Sequence, residues 1–212
     1  MTSIGILGAG RVGTAIARTA LKSGHTVDIA ASGPAAEIEM LVDIVVPGAR
    51  ATSALEAAGG ADVVVLAVPL HKYKSVDAGS LAGKIVVDTM NYWAPIDGRL
   101  DDFDGGPSSS EVVAAHFAGA RVVKTLNHIG YHELETDTRP AGTPGRRAVA
   151  VASDDAEAAA VVMELIEGFG YDAVYSGPLA TGCGFGPGTA IFGGPQTAEQ
   201  INGHLGLAAA SR

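Results

Sequence analysis

Near the start of the chain, Gly8-Ala9-Gly10-Arg11-Val12-Gly13 has the spacing G-x-G-x-x-G. The pattern counts only in the right context, between a buried strand and a helix. That context is present. Ile4-Gly5-Ile6-Leu7 is a short apolar run, and Val12, Ala15, Ile16, Thr19 and Ala20 then recur at helical spacing until Gly24. The three glycines meet three physical demands. Gly8 permits a tight turn, Gly10 leaves room for a diphosphate at the backbone, and Gly13 lets the helix lie close on the sheet. The helix start offers free N–H groups and the positive end of the dipole to that anion. The spacing therefore predicts a dinucleotide phosphate site, against the alternative of a purely structural glycine turn in another α/β fold.

An NAD-type site places a carboxylate about 20 residues on, at the end of the second strand, to bond the ribose 2′-hydroxyl. Here that strand ends Asp28-Ile29-Ala30-Ala31-Ser32-Gly33. Asp28 comes too early and Ser32 stands at the ribose position. A hydroxyl without a carboxylate tolerates a 2′-phosphate, which favours NADP, with NAD the other choice. Ser32 as a plain turn residue before Pro34 is an equal alternative.

Further candidates follow later strands, because parallel strands deliver ligand contacts at their carboxyl ends. After Val68-Pro69 come His71-Lys72-Tyr73-Lys74, in which a lysine would meet a phosphate unless the segment is a solvated helix turn. Asn91 and Trp93 follow Asp88 and would bond an amide or stack on a ring, or simply anchor their loop. His128 would donate a proton near pH 7 if a carbonyl or imine were reduced. His128 and His132 have the i, i+4 spacing of a helical metal pair, but no third ligand stands out, so the reading is no metal site. Cys183 lacks a basic neighbour that would activate its thiol.

The elements that must carry these residues alternate. Strands are expected at 26–30, 63–68, 84–88, 121–126, 148–151 and 171–175, with helices at 34–46, at 108–117 (capped by Ser108 with Glu111) and up to Gly168 (capped by Ser153). Alternation of this kind implies a Rossmann-like, doubly wound α/β fold with a mostly parallel sheet. The expected organisation is a dinucleotide-binding domain over 1–176 and a Gly/Pro-rich cap or dimerisation segment over 177–212. Of 212 residues 47% are hydrophobic, enough for a sizeable core, and the net charge of −9 argues against nucleic-acid binding, which needs a basic face. A single cysteine excludes an internal disulfide, and neither a signal peptide nor a membrane-spanning apolar run is evident, so the chain reads as cytoplasmic.

Beyond the glycine turn, the blocks Ala31-Ser32-Gly33-Pro34, Val65-Leu66-Ala67-Val68-Pro69, Val87-Asp88-Thr89-Met90-Asn91, Lys124-Thr125-Leu126-Asn127-His128-Ile129-Gly130-Tyr131 and Ser176-Gly177-Pro178-Leu179 follow in order. Together they resemble the coenzyme F420-dependent NADP oxidoreductases over nearly the whole chain. The resemblance implies direct hydride transfer between nicotinamide C4 and C5 of a deazaflavin, F420 being the co-substrate. It implies that Ala9, Gly10, Arg11 and Val12 contact the pyrophosphate and Ser32 the 2′-phosphate. Val68 and Pro69 would flank the ribose, and the backbone of Asn127, His128, Ile129 and Gly130 would line the nicotinamide pocket. It also implies a homodimer. Relatives read Asn-Ser-Arg-Gly-Pro where this chain reads Ala-Ser-Gly-Pro, so the arginine that clamps a 2′-phosphate is missing, with Arg11 as a conceivable substitute. Other readings keep the dinucleotide but change the acceptor to a flavin, quinone, imine or ketone, or make the protein a non-catalytic redox sensor.

Overall fold

In a computed structural model, which describes residues 1–105 and 107–207, one mixed sheet of eight strands runs in the order β3-β2-β1-β4-β5-β6-β7-β8. In chain order the elements are β1 (Ser3–Leu7), α1 (Arg11–Lys22), β2 (Thr26–Ala30), α2 (Glu39–Val45), β3 (Arg50–Ala51), α3 (Ala54–Gly59), β4 (Val63–Leu66), β5 (Ile85–Asp88), α4 (Ala94–Asp97), α5 (Ser109–His116), β6 (Arg121–Lys124), β7 (Ala148–Ala152), α6 (Ala156–Gly168), β8 (Asp172–Gly177) and α7 (Ala198–Leu205). Every pairing is parallel except β6 with β7. The central strands β4 and β5 are buried along their whole length, as strands covered by helices on both faces must be. This is the doubly wound architecture that the alternation predicts, and no helix among the described residues is long and apolar enough to cross a membrane.

Two separate cores flank the sheet. One packs Ile4, Ile6, Val63 and Val65 against the inner face of α1 and α6; the other packs Leu7, Val64, Leu66 and Val86 against α3 and α5. The expected helix at 34–46 is broken: a 3-10 turn over Ala35–Glu37 precedes α2, because the Ile38 amide donates three residues back to Ala35 instead of four. The expected cap of α6 also moves. Ser153 is buried and its hydroxyl donates to the Val122 carbonyl, so Asp155 caps the helix by accepting from the Ala158 amide. The segment after Gly177 folds back on its own sheet. Phe185, Ile191 and Ile201 form a third core with Ala148, Ala150, Ala152 and Val174. The tail therefore buries apolar surface within the single chain.

Candidate functional site

The turn between β1 and α1 has the geometry its glycines predict. Gly8 has φ 127°, which a side chain resists, and a Cβ there would overlap the Ala67 carbonyl of β4's exit. At Gly13 a Cβ would overlap the Gly8 carbonyl, so only glycine lets α1 start this close to the sheet. Gly10 differs: a Cβ would meet nothing within 4 Å. Its openness is toward the carboxyl edge of the sheet, where it leaves the backbone accessible to a ligand. The Thr14 amide makes the first bond of the helix, to the Gly10 carbonyl at 2.9 Å. Among the described residues the amides of Ala9 to Gly13 have no acceptor, the condition of a helix start that binds an anion.

Of these residues Ala9 and Gly10 line a cavity of about 720 Å³, within the range of roughly 300–1,000 Å³ typical of small-molecule sites. Gly8, Ala9 and Gly10 form its floor, Ala30, Ala31 and Ser32 the end of β2, and Val68, Pro69 and Lys72 the exit of β4. The remaining wall comes from segments to which the sequence pattern assigns no site role: Ile38 and Leu41 before and in α2, Ala54 and Leu55 at the start of α3, and Ser75 to Asp77 with Ser80. Leu41 and Leu55 are 41% and 68% exposed, and both face this cavity. Large apolar side chains left open at a cavity wall supply a surface for a flat apolar ligand group such as a base.

Several expected contacts lie elsewhere. Val12 is in the first turn of α1 with Gly13 beneath it, and neither lines the cavity. The Arg11 side chain turns to Tyr131, donating to its hydroxyl at 3.1 Å with the guanidinium 5.7 Å from the ring centroid. In this position it does not line the cavity that Ser32 borders. His71 is exposed and outside the cavity; its neighbour Lys72 lines it instead.

The segment after β6 forms a second, polar cluster at the same edge of the sheet. Asn91 and Asn127 bond reciprocally, Asn91 Nδ2 donating to the Asn127 carbonyl at 2.7 Å and Asn127 Nδ2 to Asn91 Oδ1 at 2.9 Å. Leu126, between β6 and this pair, has φ 60°, a left-handed conformation that costs a non-glycine residue roughly 1–3 kcal/mol and that clusters at functional sites. His128 is 4% exposed. Its Nε2 accepts from the Ala150 amide at 3.0 Å, and its Nδ1 lies 3.2 Å from Asn127 Oδ1, so the neutral ring carries its proton on Nδ1. Desolvation first, then the positive charges of Arg147 and Lys124, push its pKa down to about 3. Both nitrogens of the expected general acid are thus engaged by protein groups, and burial favours its neutral ring. His132, four residues on, is exposed and packs on Tyr131. Ile129 is half-buried against the α1 side of the core.

Beneath this cluster, Asp88 and Lys124 form an ion pair at 3.2 Å with side chains 0% and 2% exposed. Lys124 also donates to the Met90 carbonyl, and Asp88 Oδ1 accepts from the Met90 amide at 2.9 Å. Burial lowers the lysine's pKa while Asp88 raises it. The pair is sealed from solvent and fixes the start of the segment that carries Asn91. Trp93, by contrast, is exposed and meets Phe192 of the tail edge-on at 6.3 Å.

A family model described as NADP oxidoreductase, coenzyme F420-dependent, matches residues 3–92. No curated protein sequence matches the chain. Among solved structures, a hypothetical protein of Sinorhizobium meliloti is 30% identical with TM-score 0.80, over 93% of this chain and 96% of that one. A candidate F420-dependent NADP reductase of Arthrobacter sp. FB24 is 29% identical with TM-score 0.73, over 85% of this chain and 87% of that one. An imine reductase of Bacillus cereus shares the fold at 17% identity and TM-score 0.64, over 86% of this chain and 57% of that one.

Proposed function

Because the chain resembles the F420-dependent NADP oxidoreductases in sequence and in fold, we propose that it passes a hydride between a nicotinamide dinucleotide and a deazaflavin of the F420 type. The observation that carries this reading is the row of unpaired amides at Ala9 to Gly13, beside the open flank of Gly10 and the floor of the large cavity. The amides hold the diphosphate. Val68 and Pro69 flank a ribose, and the apolar wall of Ile38, Leu41 and Leu55 covers the base. When bound, the nicotinamide supplies the hydride from its C4 carbon. The chain then has to hold two flat rings in contact and keep water out. Asn91, Asn127 and the backbone through Ile129 form the edge against which the nicotinamide ring is placed.

The titratable groups at that edge favour one class of acceptor. His128 is neutral and doubly bonded, and Asp88 and Lys124 are sealed together. A ketone acceptor needs a proton donor as the alkoxide forms; ring-to-ring transfer to a deazaflavin needs no side-chain acid. The test is consumption of reduced dinucleotide by purified protein, followed with F420 and, in parallel, with a flavin, a quinone, an imine and a ketone. Turnover with F420 accompanied by loss of deazaflavin absorbance supports the proposal. Turnover with another acceptor alone overturns the deazaflavin step, and tight binding without turnover would make the protein a sensor.

A further inference from the structure

The corner of the cavity at the end of β2 does not fit the phosphate that the family name implies. A 2′-phosphate carries close to two negative charges and is held in proteins by arginine or lysine. Here the corner is lined by Ala31 and Ser32; just beyond the lining, the carboxylate of Glu37 folds back against the next residue, Gly33, where a Cβ would overlap its Oε2. The basic side chains of the neighbourhood are engaged elsewhere. Arg50 on β3 forms a two-pronged pair with Asp28 at 2.9 and 2.6 Å, and Arg11 is turned to Tyr131. Among the described residues Lys72 is the one basic side chain lining the cavity; it stands on the exit of β4, two strands from β2, with Asp77 on the same wall.

Resting on the dinucleotide reading proposed above, we infer that the site accepts NAD(H) at least as well as NADP(H), and that Glu37 sets this preference. A carboxylate at this corner accepts a hydrogen bond from a free 2′-hydroxyl. Facing a 2′-phosphate, the same carboxylate is a like charge at close range with no cation between, which at surface dielectric weakens binding by about tenfold or more. Specificity of this kind is a repulsion built against the phosphorylated cofactor. The sequence hides it: Glu37 lies beyond the strand end and reaches back only because the 3-10 turn over Ala35–Glu37 curls toward Gly33.

The test is equilibrium binding of NADH and of NADPH, by their fluorescence, to the wild-type protein and to Glu37→Gln and Glu37→Lys. Glu37 is exposed, so both variants keep the packing of the fold. Wild-type protein is expected to bind NADH at least as tightly as NADPH. Glu37→Gln is expected to tighten NADPH about tenfold while NADH stays level or weakens, and Glu37→Lys to move both further in the same direction. Tighter binding of NADPH than of NADH by the wild type overturns the preference, and equal movement of both ligands on substitution overturns the assignment of Glu37. Absence of binding by either dinucleotide overturns the proposed function as well.

Discussion

Lowering the pH from 7 to 5 perturbs His128 in a way the structure quantifies. In the unfolded chain a histidine titrates near 6.5; in the folded protein burial and two nearby cations hold it at about 3. Between those values the unfolded chain binds a proton that the native chain does not, so stability rises with pH and falls on acidification. Each pH unit below the unfolded value costs about 1.4 kcal/mol, and 1.5 such units separate 6.5 from 5, giving a loss of about 2 kcal/mol. The assay is urea unfolding at pH 7 and pH 5 for wild-type protein and for His128→Gln, whose amide oxygen still accepts from the Ala150 amide. The wild type should lose about 2 kcal/mol more than the variant over this interval. His25, also lowered by burial, contributes equally to both proteins and cancels. Glu56, held at about 2 by hydrogen bonds from Thr52 and Ser53, loses its contribution as pH falls from the usual carboxylate value toward 2, and does so equally in both proteins. Equal losses in the two proteins would refute a neutral buried His128 and return the residue to candidacy as an acid.

Three substitutions separate ligand binding from packing. Gly10→Ala is compatible with φ −82° and meets no atom within 4 Å; thermal unfolding should show it stabilised by up to about 1 kcal/mol, while dinucleotide titration shows affinity reduced at least about tenfold as the methyl crowds the diphosphate. Gly13→Ala overlaps the Gly8 carbonyl, so the same two measurements should show a loss of about 1–3 kcal/mol together with loss of binding. Lys124→Met leaves Asp88 buried without its partner, a change expected to cost about 3–5 kcal/mol in urea unfolding, with much of it recovered in Asp88→Asn/Lys124→Met because the uncompensated charge is gone. Full stability in Lys124→Met alone would contradict the buried pair.

Much of the frame was legible because its determinants are local. β1, its glycine turn and α1 lie within the first 22 residues, and the buried runs of β4 and β5 declare themselves by composition. Ser108 and Glu111 form the reciprocal capping box that their spacing predicts. What escaped was short or long-range. β3 has two residues and α3 six, too few for periodicity, although Ser53 and Glu56 carry a capping signal that marks α3's start. α7 carries the same kind of signal at Thr197 and Gln200, inside a tail whose glycines mask it. The greater part of the cavity wall, from Ile38 to Ser80, comes together only when β2 and β4 lie on either side of β1. The engagement of the His128 ring is a property of its neighbours: the Ala150 amide is 22 positions away, and no local pattern announces that contact.

The diphosphate site is tested most directly by following the backbone amide resonances of isotopically labelled protein during titration with NADH. Saturable shifts largest at Ala9, Gly10, Arg11 and Val12, with Ser32 and Leu55 moving alongside, are what a diphosphate held at the start of α1 predicts. Saturable binding that leaves those four amides in place would contradict it.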